Sequence, residues 1–170
     1  MSAPFGTHDP GFAEVTGEAP RLELVGEVDA HEGPVHVADD DALYFTSLPR
    51  PRADRSPEVA IRRLTLGDGH VETVVADANA ANGMALAPDG RLVVCEQGGP
   101  ESPAALTLVD RRTGERELLV DSFRGLPLNS PNDVVVAPDG AVWFTDPSYG
   151  HLQGFRPAPA LGDHVYRHDP

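Results

Sequence analysis

A pattern of about fifty residues recurs three times in this chain, and nothing else in the sequence narrows the possible folds as much. The stretches EGPVHVADDDALYFTS, NGMALAPDGRLVVCEQ and NDVVVAPDGAVWFTDP begin at Glu32, Asn82 and Asn132, spaced evenly at fifty residues. Short apolar strands broken by Gly, Asp and Pro turns at that period are the signature of a β-propeller blade. Repetition around an axis draws equivalent positions together. The first residue of each copy, always an oxygen-bearing side chain, is therefore expected beside that axis.

Each copy divides into strands and turns. In the first, PVHVA and ALYFTS flank the acidic turn Asp39–Asp41, and VAIRRLTL and HVETVV form a second hairpin across Gly67-Asp68-Gly69. The second repeats the scheme with MALA, Pro88-Asp89-Gly90, RLVVCE, ALTLVD, the turn Arg111–Gly114 and ERELLV. The third has VVVA, Pro138-Asp139-Gly140 and AVWFTD, then a longer Gly/Pro-rich loop, Pro147–Gly162, and the start of a strand in HVYRHDP. Its outermost strand is missing. Ahead of the repeats, residues 1 to about 20 read as an irregular N-terminal arm, and Arg21–Val28 alternates like a strand. Residues 21–170 thus read as a partial propeller. A ring cannot close on this number of blades, because strand edges and apolar blade faces would meet water. The chain reads as the N-terminal part of a longer protein, a dimer of half-rings being the competing explanation.

Composition bounds the chemistry. Against 27 Asp and Glu stand 13 basic residues, a formal net charge of −14. That balance repels phosphate backbones and anionic lipid, so nucleic acid and membranes are poor partners and a cation is a better one. Every basic residue is Arg. Without Lys, Schiff-base catalysis and a P-loop lysine are excluded. Cys95 stands alone inside the apolar run LVVCE, which excludes an internal disulfide and marks a buried strand residue rather than a nucleophile. The opening MSAPFGTHDPGFAEV lacks a basic n-region followed by an apolar h-region, and no later run approaches the ~18 apolar residues that span a bilayer. The expected location is cytoplasmic.

Glu32, Asn82 and Asn132 each stand just ahead of an innermost strand and should ring one mouth of the central channel. Carboxylate and amide oxygens that converge without thiolates describe a hard-cation site. Calcium is its typical occupant because it accepts about six to eight oxygens in loose geometry. Zinc is disfavoured, since the odd spacing of His31 and His36 puts their imidazoles on opposite faces of an alternating strand. No G-x-S-x-G is present to supply a nucleophilic serine.

The segments HEGPV, ANGMALAPDGRLVVCE and LNSPNDVVVAPDGAVWFTDPSYG resemble the gluconolactonase and regucalcin (senescence marker protein, LRE-like) family over roughly residues 20–170. The resemblance implies a six-bladed, calcium-dependent lactonase about twice this length. The expected fold class is accordingly all-β, of the six-bladed β-propeller type, with this chain covering about the first two and a half to three blades. The resemblance makes Glu32 a direct metal ligand and sets Asn132 at the metal, coordinating it or holding substrate beside it. Asn82 is implied to line the channel or contact substrate, while Asp146 and Tyr149 of FTDPSYG border the pocket or cap their loop. The remaining ligands, and the Asp that acts as base in such proteins, belong to later blades and are expected beyond Pro170. No catalytic residue is assigned in this chain, which reads as catalytically incomplete. One departure stands out: Gln97 occupies a position where relatives commonly carry His, leaving substrate contacts from the second blade open.

The expected function is calcium-dependent hydrolysis of a small-molecule lactone, water adding to a metal-polarised carbonyl while a carboxylate takes the proton. Other divalent cations suit the same donors. The alternative is a non-catalytic propeller that binds a protein or sugar partner, since fold alone does not settle function. A platform has no need of Glu, Asn and Asn in register, whereas an ion site does. Oligomeric state and the identity of the lactone stay open.

Overall fold

In the computed structural model, which describes residues 9–17 and 19–170, three antiparallel sheets follow one another along the chain. The first sheet orders Ala30–Val37, Ala42–Ser47, Ile61–Thr65 and Val71–Val75 from the inside outward. The second orders Ala81–Leu86, Leu92–Glu96, Ala105–Val109 and Arg116–Val120 in the same way. The third has Val134–Val136, Val142–Asp146 and His164–His168, a blade of three strands. The innermost strand of the second sheet packs against those of the first and third, as radial blades require. Three consecutive blades of a β-propeller are therefore present. Part of the expected N-terminal arm, residues 1–8 and Glu18, lies outside the described residues; Pro10–Phe12 and Ala13–Thr16 form two short helical turns.

One expectation is corrected. Arg21–Val28 forms no strand. Alternation supplies two faces, but a strand also needs a neighbour for its N–H and C=O groups. Along this stretch the first such bond comes only at Asp29, whose carbonyl accepts the Leu48 N–H at 2.6 Å.

Packing explains the run LVVCE. The middle blade is covered on both sides, so Leu92 and Val94 join the core shared with Val35, Tyr44 and Ile61 of the first blade. Val93 and Cys95 point the other way, into the core shared with Val134, Val142 and Phe144 of the third. A strand buried on both faces must be apolar at every position rather than at alternate ones. Cys95 is fully enclosed, and burial pushes its thiol well above the usual range, as suits an inert strand residue.

The first two blades are also tied near their turns. Arg111 donates from Nε to Asp40 Oδ2 at 2.6 Å and from Nη1 to the Gly90 carbonyl at 2.6 Å. The Tyr44 hydroxyl donates to the same carboxylate at 2.9 Å. The Arg111 hydrogen bond, outweighing desolvation, holds the Asp40 carboxyl below its ordinary 3.8. A carboxylate whose pKa is lower in the fold stabilises above its unfolded value and loses that contribution as pH falls through the folded value. Below about pH 4 this link is expected to weaken. Acid unfolding followed by circular dichroism should be less steep in Asp40→Asn, with a fraction of a proton fewer taken up.

Candidate functional site

Close approach of the inner strands depends on the residue after the first two ring positions, Glu32 and Asn82. A side-chain carbon on Gly83 would lie 2.6 Å from the Asn132 carbonyl oxygen and 2.8 Å from the Asp133 Cα. On Gly33, which has φ +58°, it would lie 2.7 Å from both the Asn82 carbonyl oxygen and the Met84 nitrogen. With glycine in both places the blades touch backbone to backbone, and the Gly83 N–H donates to the Asn132 carbonyl at 2.8 Å. In the sequence these glycines are signalled only by the shared EG and NG dipeptides.

The result is a single cavity of about 380 Å³ that Glu32, Asn82, Asn132 and Tyr149 line together. Glu32 comes from the innermost strand of the first blade and Asn82 from that of the second. Asn132 precedes the innermost strand of the third. Thr46 Oγ1 donates to the Glu32 backbone carbonyl at 3.0 Å, fixing the strand and leaving the carboxylate alone. Among the described residues, the side-chain oxygens of Glu32, Asn82 and Asn132 have no protein hydrogen-bond or ion-pair partner. Three free oxygen donors of hard character facing one space suit a hard cation, and the chemistry of the set fits calcium better than a soft metal.

A larger hollow of about 650 Å³ lies elsewhere, between the first and second blades, lined by Arg52, Asp77, Asn79, Glu96 and Arg116 among others. Its charges are already paired, apart from the exposed Glu101. Arg52 pairs with Asp77 at 2.7 Å, and Arg116 grips both oxygens of Glu96, with Nε to Oε1 at 2.9 Å. Thr107 and Asn79 complete the shell of Glu96, which is 1% exposed. Size thus favours this hollow and unpaired chemistry favours the smaller cavity; the chemistry decides. Arg116→Ala would strip a buried carboxylate of its counter-ion, a loss of several kcal/mol when both partners are enclosed. With Arg116 about a third exposed, screening reduces that loss, and roughly 2 kcal/mol is expected in urea unfolding.

Asp146 is placed differently from the other candidates. It is fully buried, does not line the cavity, and accepts the backbone N–H of Asn129 at 2.9 Å and of Ser130 at 2.8 Å. Burial raises its carboxyl pKa and the two N–H groups pull it back. Ser130 Oγ in turn accepts the Gly150 N–H at 3.0 Å. One carboxylate therefore anchors both the turn leading to Asn132 and the short helix Tyr149–Leu152, which lies inside the expected loop Pro147–Gly162. Arg156 seals the outside of this region. Burial lowers its pKa, and it donates to the carbonyls of Gly99 at 3.1 Å and Ser102 at 2.9 Å, joining the second and third blades.

Pro170, beyond which the base is expected, stands apart from the cavity and takes no part in its lining. Its ring lies instead over the turn Pro138–Gly140 of the third blade, where a side-chain carbon on Gly140 would meet the Pro170 Cγ at 3.6 Å. Asp146, the buried carboxylate nearest in sequence to Asn132, is spent on the backbone N–H groups of Asn129 and Ser130.

Comparison with known proteins agrees with this architecture. A family model described as the SMP-30/Gluconolactonase/LRE-like region matches residues 30–170. The chain belongs to this family. It is 32% identical over 154 residues to a gluconolactonase of Zymomonas mobilis subsp. mobilis, covering 82% of this chain and 42% of that protein. To the lactonohydrolase oryL of Aspergillus oryzae it is 29% identical over 167 residues, covering 92% and 37%. The solved structure of a gluconolactonase from Xanthomonas campestris is similar at a TM-score of 0.67 and 34% identity, over 84% of this chain and 46% of that one. A second structure, of a protein provisionally named a gluconolactonase, gives 0.77 at 29% identity over 96% and 53%. The chain thus spans about half or less of each relative's length. Among the described residues no helix is long and apolar enough to cross a membrane.

Proposed function

We propose that this chain carries the first part of a calcium-dependent lactone-hydrolase site, with Glu32 and Asn132 as metal ligands and Asn82, Asn132 and Tyr149 facing the substrate. The observation that carries the reading is the convergence of three unpartnered oxygen side chains, one from each blade, on a single cavity. Membership of a family whose members include gluconolactonases supports the substrate class. Calcium, when bound, would polarise the lactone carbonyl and favour the charge that develops as water adds.

The chain's own residues divide the remaining work. Among the described residues, Glu32 supplies the single anionic donor in the cavity lining and is committed to the cation. Asn132, tied through its backbone to Gly83, is held at a fixed distance from Asn82. Tyr149 offers a hydroxyl and an apolar ring at the rim, which suits one face of a small ring. Asp146 acts indirectly, by holding the turn before Asn132 and the helix that bears Tyr149. A base to take the proton from water is supplied by a carboxylate beyond Pro170.

The test is calcium-dependent lactone binding and turnover by the 170-residue chain. Binding that chelator abolishes, with hydrolysis no faster than calcium alone produces, is the expected result. Chelator-insensitive binding would contradict the metal assignment, and rapid hydrolysis would contradict the assignment of the base beyond Pro170.

A further inference from the structure

Gln97 follows the strand Leu92–Glu96 directly and is only 5% exposed. Its backbone N–H donates to the Ala80 carbonyl at 3.2 Å, fixing the main chain in the cavity wall. Its carboxamide has no hydrogen-bond partner among the described residues. The side-chain atoms sealed away without a partner there are Arg62 Nε, Asn129 Oδ1 and Tyr166 Oη. The Gln97 amide is not one of them, so it reaches open space, and that space is the cavity it lines with Glu32, Asn82 and Asn132. Its surroundings hold it in place. Glu96 is drawn away by Arg116, the Gly98 N–H donates to the Asn79 carbonyl, and Arg156 clamps the carbonyls of Gly99 and Ser102.

A largely buried carboxamide that meets no protein group must find a ligand or water, and it offers a donor and an acceptor side by side. A hydroxyl matches both at once, whereas a ring methylene matches neither and would leave the amide unpaired. Resting on the lactone reading above, we propose that Gln97 is a specificity-determining residue, pairing with a ring hydroxyl and selecting polyhydroxylated lactones over unsubstituted ones.

The probes are two six-membered lactams, which resist ring opening: one hydroxylated around the ring, the other bare. Their affinities for the calcium-loaded 170-residue chain are compared by calorimetry. The unaltered chain is expected to prefer the hydroxylated ring about tenfold or more. Gln97→Met, close in size and without the amide, should cut that preference to about twofold, by weakening the hydroxylated ring and by binding the bare ring at least as tightly, since no amide is then left unpaired. Gln97→Glu, which keeps only acceptors, should fall between them, and thermal melts of both variants establish that they fold. An unaltered chain without preference, or a preference that survives Gln97→Met, overturns the assignment while leaving the lactone reading intact. Binding of neither ring by the unaltered chain removes the lactone reading, and this assignment with it.

Discussion

Gly83→Ala is expected to lower the thermal midpoint by about 10 °C. The added carbon would meet backbone on the neighbouring blade, the Asn132 carbonyl oxygen and the Asp133 Cα, as well as the Asp133 Oδ1, and of these only the carboxylate oxygen can swing away. Forcing volume into a close-packed contact costs about 1–3 kcal/mol, and here the upper end applies because two main chains must separate. For a chain of this size each kcal/mol moves the midpoint by about 2–4 °C. Gly26→Ala is the control, since nothing lies within 4 Å of its added carbon; it should melt like the unaltered chain. Gly33→Ala combines a similar clash with a left-handed φ and should cost at least as much. Separation of the blades would also carry Asn132 away from Asn82, so cation affinity should fall alongside stability.

What could be read beforehand is visible in these same residues. The fifty-residue period was legible because strands and turns recur in the same order, and rotation then fixes which residues meet. Glu32, Asn82 and Asn132 were singled out on that basis, and all three line one cavity. Close approach was not legible, because a glycine's absent side chain leaves no hydrophobic pattern; only the facing backbone shows why Gly33 and Gly83 are needed. Asp146 shows a different limit. A carboxylate next to Pro in a loop reads alike whether it faces a ligand or caps a turn, and the backbone N–H groups of Asn129 and Ser130 become visible only in three dimensions. The short hairpins Arg50–Pro51 with Pro57–Glu58 and Ser122–Phe123 with Leu126–Pro127 were also missed. Proline in three of their four segments masks strand character at paired edges.

Glu32→Gln is expected to weaken calcium binding at least about tenfold, the largest effect of any single change in the cavity. The two side chains have nearly the same shape, and the strand is held through the Glu32 backbone carbonyl, which the change leaves in place. Stability should therefore stay within about 0.5 kcal/mol, as for a surface substitution. What disappears is the one negative charge among the cavity-lining donors, and hard-cation sites are tuned by the number of charged ligands. Asn132→Ala removes a neutral donor and should have a smaller effect. Calorimetry in low and in physiological salt checks the order, with Glu32→Gln below Asn132→Ala and both below the unaltered chain.

The central claim, that equivalent positions of the blades bring Glu32 and Asn132 together on one hard divalent ion with Asn82 beside it, is tested most directly by manganese added to isotope-labelled chain. Its unpaired electrons broaden nuclear resonances only near the bound ion. Broadening should appear first at the side-chain amides of Asn82 and Asn132 and at the backbone amide of Glu32, and calcium should reverse it. Broadening centred instead on an exposed acidic turn such as Asp39–Asp41, with the Asn82 and Asn132 amides left sharp, would contradict the account.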